Sequence, residues 1–308
     1  MLKKKILIVG GSGFIGYHLA KKCLDHKWDV TSLSSRKPNK IRKLKKVNYR
    51  ICDISKFKII KKNIKGNYNY VVNLGGYVNH KNKIKTYQSH YLGCKNLCDF
   101  FLDKNIDKFI QVGSSIENGK QSSPQKETKK IEYTNIPSTY GQSKLKATNY
   151  LLKLFKQNKF PAIILRLYLA YGPRQDNNRF IPIIINSCLK NKKFDCSEGK
   201  QYRDFIYIDD VVSVIMKSLK SNIVGEIFNI GTGKPKQIKF IIKKIKKLIN
   251  KGEPNYGKIK MRKDEIMKLY PNINKAKTKL NWKPKISFEN GLKKTINYYH
   301  KLSHGKKS

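Results

Sequence analysis

Acidic residues are scarce: the 308-residue chain carries 20 Asp and Glu against 67 Lys and Arg, a formal net charge of +47. Arginine is scarce too, at eight positions, so the excess is lysine, spread along the whole chain with abundant Asn and Ile. A dispersed lysine excess is not the Arg-rich stripe of a base reader, because bidentate base contacts favour Arg. No zinc-finger, helix-turn-helix or RNA-binding signature accompanies it, so no nucleic-acid partner is expected. The charge would instead attract small anions. Long apolar runs are missing: mean hydropathy is −0.59, and nothing approaches the roughly 20 residues of a membrane span. The apolar stretch after Met1-Leu2-Lys3-Lys4-Lys5 ends at Gly10 and is too short for a signal peptide. A cytoplasmic protein with no membrane partner is expected. Cysteine is limited to positions 23, 52, 94, 98, 188 and 196, with no CxxC pair. Cys94 and Cys98 lie four apart with no His or Cys set to complete a zinc site, so reduced cysteines and no metal are expected.

What is present is a patterned interior, 39% hydrophobic and 11% aromatic. Val- and Ile-rich runs predict strands at 6–9, 28–33, 47–52, 68–74, 109–113 and 162–167. Helical periodicity predicts helices at 14–26, 91–103 and 139–157. Strand and helix in alternation predict an α/β fold with a doubly wound parallel sheet. Continuous apolar strands fit a sheet covered on both faces. From about residue 172, where Gly172-Pro173 opens a loop, the helices shorten and the texture changes. The expected division is residues 1–171, with segments of 204–232 returning to them, and a smaller C-terminal α/β lobe at 172–308. The last residues, His304 to Ser308, are expected to fray.

Residues 10–16 read Gly-Gly-Ser-Gly-Phe-Ile-Gly, with three glycines at a spacing of three between the first strand and the first helix. Glycine permits the tight turn and a close approach of backbone to a pyrophosphate, and the helix N-terminus supplies N–H donors. In that context the motif indicates a Rossmann dinucleotide site formed by Gly10, Gly13, Phe14 and Ile15. The second strand ends in Ser34-Ser35-Arg36-Lys37, where an NAD enzyme usually places an acid for the ribose hydroxyls. Ser34 and Arg36 suit a 2′-phosphate, so NADP is expected over NAD. Asp53, with Ile54 beside it, is placed to meet the adenine edge, and Leu74-Gly75-Gly76 would line the cofactor.

Tyr140 and Lys144 stand at i and i+4, on one helix face. A lysine cation beside a tyrosine lowers the phenol pKa, so that it can exchange a proton with a carbonyl or hydroxyl near neutrality. Ser114, closing the fifth strand, would bond the same oxygen. Lys144 would also hold the nicotinamide ribose.

The glycine turn, Asp53, Ser114 and the Tyr140/Lys144 pair together resemble the extended short-chain dehydrogenase/reductase family, the NAD-dependent epimerase/dehydratase group. Leu165-Arg166-Leu167-Tyr168 with Tyr171-Gly172-Pro173 is similar to the family's strand and loop beside the nicotinamide, which brings Tyr168 into the cofactor set. Arg203-Asp204-Phe205-Ile206-Tyr207-Ile208-Asp209-Asp210-Val211 resembles the segment whose arginine meets the sugar-nucleotide diphosphate. Phe228-Asn229-Ile230-Gly231 resembles the strand that follows. The resemblance implies a nucleoside diphosphate sugar bound by the C-terminal lobe, with Ser115, Arg174, Arg179 and Arg203 as its contacts. It also implies a homodimer pairing through helices near 90–104 and 140–157.

Three departures narrow the branch. Dehydratases of the group carry Thr-Asp-Glu where this chain has Ser114, Ser115 and Ile116, so dehydration is not expected. Leu169 replaces an Asn common three residues before Gly172. Glu117-Asn118 replaces a Val-Tyr pair, which alters the local sugar contacts. The late segments Arg262-Lys263-Asp264-Glu265, Leu269-Tyr270-Pro271 and Trp282-Lys283-Pro284 resemble the 4-keto-6-deoxyhexose reductases of abequose, paratose or fucose type. The expected reaction is NADPH reduction of C4, with Tyr140 as proton donor, Ser114 steadying the oxygen and Lys144 tuning Tyr140. The alternatives are a UDP-sugar 4-epimerase with resident NAD and, from another class, a catalytically silent Rossmann binding protein. His80 and His90 show no partner in the sequence and are expected to be structural or surface residues.

Overall fold

A computed structural model describes residues 3–128, 131–136, 138–261 and 265–305. Six strands and five α-helices build the first half: β1 (Lys5–Val9), α1 (Phe14–Asp25), β2 (Asp29–Ser34), β3 (Val47–Ile51), α2 (Phe57–Asn63), β4 (Tyr70–Asn73), α3 (Lys83–Tyr87), α4 (Gly93–Phe101), β5 (Lys108–Ser114), α5 (Thr139–Asn158) and β6 (Ala162–Leu167). The second half is more interrupted: β7 (Leu169–Tyr171), α6 (Phe180–Leu189), β8 (Lys193–Asp195), β9 (Tyr202–Arg203), β10 (Phe205–Tyr207), α7 (Ile208–Lys220), β11 (Glu226–Ile230), β12 (Lys236–Gln237), α8 (Ile238–Ile249), β13 (Glu253–Asn255), β14 (Lys268–Leu269), α9 (Asn274–Lys279) and α10 (Phe288–His304).

Seven strands form one sheet in the order β11-β6-β5-β4-β1-β2-β3, and every pairing in it is parallel. The doubly wound architecture is therefore the observed one, and its last strand comes from residues beyond the break in texture at 172. Strand β1 shows why the sheet must be covered twice. Ile6 and Ile8 join one apolar core, while Leu7 and Val9 join the other, as side-chain alternation along a strand requires. Helix α4 contributes Cys94, Leu97, Cys98 and Phe101 to the second core, and α7 contributes Val211, Val214, Ile215 and Leu219 to the first. The six cysteines are all buried and free. Among the described residues no group of His, Cys, Asp and Glu could hold a metal, and no helix is long and apolar enough to cross a membrane.

The predicted helix at 91–103 is observed as α4 at Gly93–Phe101, and a π-helical turn at Gln88–Leu92 leads into it. The short helices α2 and α3 have too few turns to show a period in the sequence. Of the residues expected to fray, the described portion continues α10 as far as His304, and residues 306–308 lie outside the described set.

Two buried carboxylates fasten loops of the second half of the chain. Asp204 accepts hydrogen bonds from the Thr232 amide at 2.8 Å and the Gly233 amide at 2.6 Å. Asp210 accepts from the Lys285 and Ile286 amides at 2.9 and 3.0 Å. In both cases a charged acceptor satisfies loop N–H groups that no ladder pairs. Replacing Asp204 by Ala leaves those amides unpaired, and we expect a loss of about 3 kcal/mol of stability. Urea unfolding monitored by circular dichroism measures it; an unchanged midpoint would contradict this anchoring role.

Candidate active site

A doubly wound sheet places a crevice at the carboxyl edge, where the strand order reverses. Here the reversal lies between β1 and β4, and the backbones leaving these strands touch. A Cβ on Gly10 would lie 3.0 Å from the carbonyl carbon and oxygen of Leu74, and Gly10 itself has φ +81°. The turn then folds on itself: the Gly13 amide donates to Gly10 O at 2.9 Å, and a Cβ on Gly16 would sit 2.3 Å from that oxygen. Gly13 is the N-cap of α1 and offers no capping side chain. The helix therefore begins with free N–H donors and the positive end of its dipole facing the crevice. This cradle fits a dinucleotide pyrophosphate at Gly10, Gly13, Phe14 and Ile15.

The other expected cofactor residues surround the cradle unevenly. Ser34 Oγ accepts from the Ser12 amide at 3.3 Å, and Arg36 is exposed. Arg42, in the connection from β2 to β3, is buried and committed to the Arg174 carbonyl and to Asp176. Asp53 accepts from the Ser55 amide and hydroxyl at 3.0 and 2.7 Å. Ile54 packs against the backbones of Gly75 and Gly93. Tyr168 is placed differently from the expectation. It is buried, donates to Gln125 Oε1 at 2.7 Å and accepts from Asn118 Nδ2 at 3.2 Å, so its hydroxyl is already engaged in the interior.

Ser114 closes β5, and Tyr140 and Lys144 face it from the first turns of α5. A hydrogen bond with Ser114 favours the Tyr140 phenolate, but burial is the larger influence, and it pushes the Tyr140 phenol above the ordinary range. The sequence expectation that Lys144 lowers this phenol is not what the side chains show. Lys144 Nζ donates to the Val112 carbonyl at 2.8 Å, and burial pushes its own pKa down. The cation that favours the phenolate is Arg179, opposed by the Glu117 carboxylate.

Two residues expected to be incidental are at the centre. The His80 ring stacks on Tyr140 with centroids 4.0 Å apart and planes 11° from parallel. The His90 ring meets Tyr140 edge to face at 4.8 Å. His90 is 5% exposed, and its Nε2 lies 3.1 Å from the Tyr77 carbonyl. A carbonyl only accepts, so Nε2 carries the proton and Nδ1 is a bare acceptor; Nδ1 has no partner among the described residues. Burial, and then the Lys144 charge, push His90 down to about 2. Burial, Arg179 and Lys144 lower His80 as well. Room for the His90 ring exists because residue 76 is glycine: a Cβ there would lie 1.9 Å from His90 Cε1. Neither histidine sits in a spacing pattern. The signal that could have found them is position, since the loop after β4 borders the loop after β5 in this topology.

The anion-binding candidates separate. Arg179 caps the start of α6 and acts on both Tyr140 and His80. Arg174, at φ +65°, lays its guanidinium over the rings of Tyr17 and Tyr298, at 4.6 and 5.7 Å. Arg203 forms an ion pair with Glu265 and donates to the Tyr202 carbonyl at 2.8 Å. Ser115 is buried. Arg262, Lys263 and Asp264 of the late reductase-like segment lie outside the described residues.

A family model for the NAD dependent epimerase/dehydratase family matches residues 6–231. The chain is 31% identical over 305 residues to a putative UDP-glucose 4-epimerase of Methanocaldococcus jannaschii, covering 95% of this chain and 97% of that protein. It is 39% identical over 137 residues to a CDP-abequose synthase of Salmonella muenchen, covering 44% of this chain and 46% of that one. The fold superposes on the UDP-glucose 4-epimerase of Thermotoga maritima solved with UDP-glucose, with a TM-score of 0.85 at 25% identity, covering 97% and 99% of the two chains.

Tyr140→Phe keeps the ring stack with His80 and His90 and removes only the hydroxyl. We expect cofactor affinity to stay within about twofold of the parent and turnover to fall by about 10²–10⁴, the usual contribution of a positioned proton donor. Substantial turnover in this variant would contradict the proton-donor role.

Proposed function

Because the chain belongs to the NAD-dependent epimerase/dehydratase family, we propose that it is an NADPH-dependent reductase of a nucleoside diphosphate 4-keto-6-deoxyhexose, acting at C4. The observation that carries this reading is the end of β2. Ser34 and the exposed Arg36 stand there with no carboxylate for the adenine ribose, and Arg42 is already committed elsewhere. Such an end suits a 2′-phosphate and with it a cofactor that exchanges each turnover. Two further features support it. Ser115 and Ile116 occupy the positions where a dehydratase needs acids, and Ile116 packs on the Gly141 backbone. The CDP-abequose synthase similarity points to the same branch.

Gly10, Gly13, Phe14 and Ile15 would hold the pyrophosphate, with Ser34 and Arg36 at the ribose phosphate. Asp53 and Ile54 would border the adenine, Leu74, Gly75 and Gly76 the middle of the cofactor, and Lys144 the nicotinamide ribose. The bound nicotinamide supplies hydride chemistry. The chain's own residues handle the oxygen: Tyr140, kept protonated by burial, delivers its proton to the sugar O4, and the Ser114 hydroxyl holds that oxygen in line. Arg179, beside Tyr140, and Arg203, once released from Glu265, would clamp the diphosphate. Ser115 and Arg174 are the outer substrate contacts in this reading. A homodimer joined through α4 and α5 completes it.

A second reading, 4-epimerisation with resident NAD, is favoured by the full-length similarity to the Methanocaldococcus protein. The two separate in one assay: NADPH oxidation followed by absorbance with CDP-, TDP-, UDP- and GDP-4-keto-6-deoxyhexoses. We expect turnover with one member of the panel. No turnover with any, together with NAD released on denaturation, would overturn the reductase and leave the epimerase.

A further inference from the structure

One carboxylate lies directly beneath the catalytic groups, and none of the roles above uses it. The side chains of Glu117 and Arg166 are 0% exposed, and Arg166 Nε donates to Glu117 Oε2 at 3.1 Å. The same oxygen accepts from the Thr148 hydroxyl at 2.6 Å. The other oxygen, Oε1, accepts from the Ser114 amide at 2.7 Å. Thr148 follows Lys144 by one turn and Tyr140 by two on α5, so it shares their helix face. Glu117 therefore bonds at once to the backbone of Ser114 and to the helix that presents Tyr140 and Lys144. The space for it is made by the residue before Ser114: a Cβ on Gly113 would lie 2.4 Å from Glu117 Oε1.

We propose that Glu117 is a positioning residue of the reaction: its buried carboxylate locks Ser114 to the Tyr140/Lys144 helix and sets a negative charge beneath those two groups. The proposal rests on the Tyr140-centred chemistry above. The charged and titratable groups that face this pair are Arg166 on β6, Arg179 at the start of α6, Cys94 on α4, and the neutral rings of His80 and His90. Within that set Glu117 is the acid acting on both Tyr140 and Lys144. A negative charge raises both pKa values. It thereby opposes the burial that lowers Lys144 and adds to the burial that raises Tyr140. A group that must enter each turnover as an acid is served by both effects.

The test is Glu117→Gln, which keeps the side-chain shape and the oxygen that accepts from Ser114 but removes the charge. An uncompensated Arg166 is costly, so the double variant Glu117→Gln/Arg166→Gln is made beside it and leaves no lone charge. We expect kcat to fall at least about tenfold with KM for the nucleotide sugar within about twofold, a loss of alignment and not of binding. Losing the carboxylate lowers the phenol pKa, so the alkaline limb that reports loss of the Tyr140 proton moves to lower pH, by about one unit for a neighbouring buried charge. Thr148→Val cuts the tether but keeps the charge. It should lower kcat and leave the limb in place. Ultraviolet difference titration against Tyr140→Phe reads the same phenol with no substrate, so the proposal is decided even if the reductase reading fails. A Tyr140 phenol that titrates unchanged in the folded Glu117→Gln or double variant overturns the charge role. A wild-type kcat in Thr148→Val overturns the positioning role.

Discussion

Backbone pressed on backbone at Gly10 is the constraint from which the site follows. The turn after β1 must pass within van der Waals reach of the chain leaving β4 and still leave room for α1 to start on top of it. Any side chain at 10, 13 or 16 would enter space held by main-chain atoms. Because the turn is this compact, the first N–H groups of α1 face the crevice, and the N-cap Gly13 brings no side chain to cap them. Parallel pairing then carries the ends of β2, β4, β5 and β6 to the same edge, so residues far apart in sequence border one crevice. Asp204 and Asp210 fasten loops of the second half of the chain.

Charge is distributed in two populations with different roles. The surface lysines are numerous, dispersed and individually weak in effect, as solvated charges are. They give the chain its +47 and a general attraction for anions. The interior holds a few charges, each paired or hydrogen-bonded: Glu117 with Arg166, Asp204 with loop amides, and Lys144 with the Val112 carbonyl. Burial acts first on the proton affinity of Tyr140, and Ser114, Glu117 and Arg179 adjust it. The His80 and His90 rings packed on Tyr140 add contact area to the site.

How far the sequence was legible depends on the range of the interaction concerned. Strands β1, β5 and β6 announce themselves through apolar runs, and helix α5 through a helical period sustained over 20 residues, because burial on fixed faces dictates residue type at each step. The glycine turn is legible because a close backbone approach admits one residue type. The i, i+4 pairing of Tyr140 and Lys144 is likewise a local property of a helix. His80, His90 and Glu117 escaped because their roles come from contacts between loops and strands far apart in sequence. Nothing in Tyr77-Val78-Asn79-His80 indicates a ring stacked on residue 140. Glu117-Asn118 in the sequence reads as an altered sugar contact; in the fold both side chains are buried, with Glu117 on Arg166 and Thr148, and Asn118 bonded to Tyr168 and Asn229. The π-helical turn at 88–92 escaped for a related reason: it seats His90 against Gly76, a demand of packing and not of local preference.

The central claim, net reduction at C4 of a nucleotide-bound sugar, is tested most directly by following the label from NADPH deuterated at C4 of its nicotinamide. Each epimer of the labelled cofactor is incubated with the sugar that turns over, and the product is examined by mass spectrometry and proton NMR. A reductase places a single deuterium at C4 of the sugar from one epimer and releases oxidised cofactor in equal amount. A product that is an isomer of its substrate, carries no deuterium and leaves the added NADPH unconsumed would contradict it.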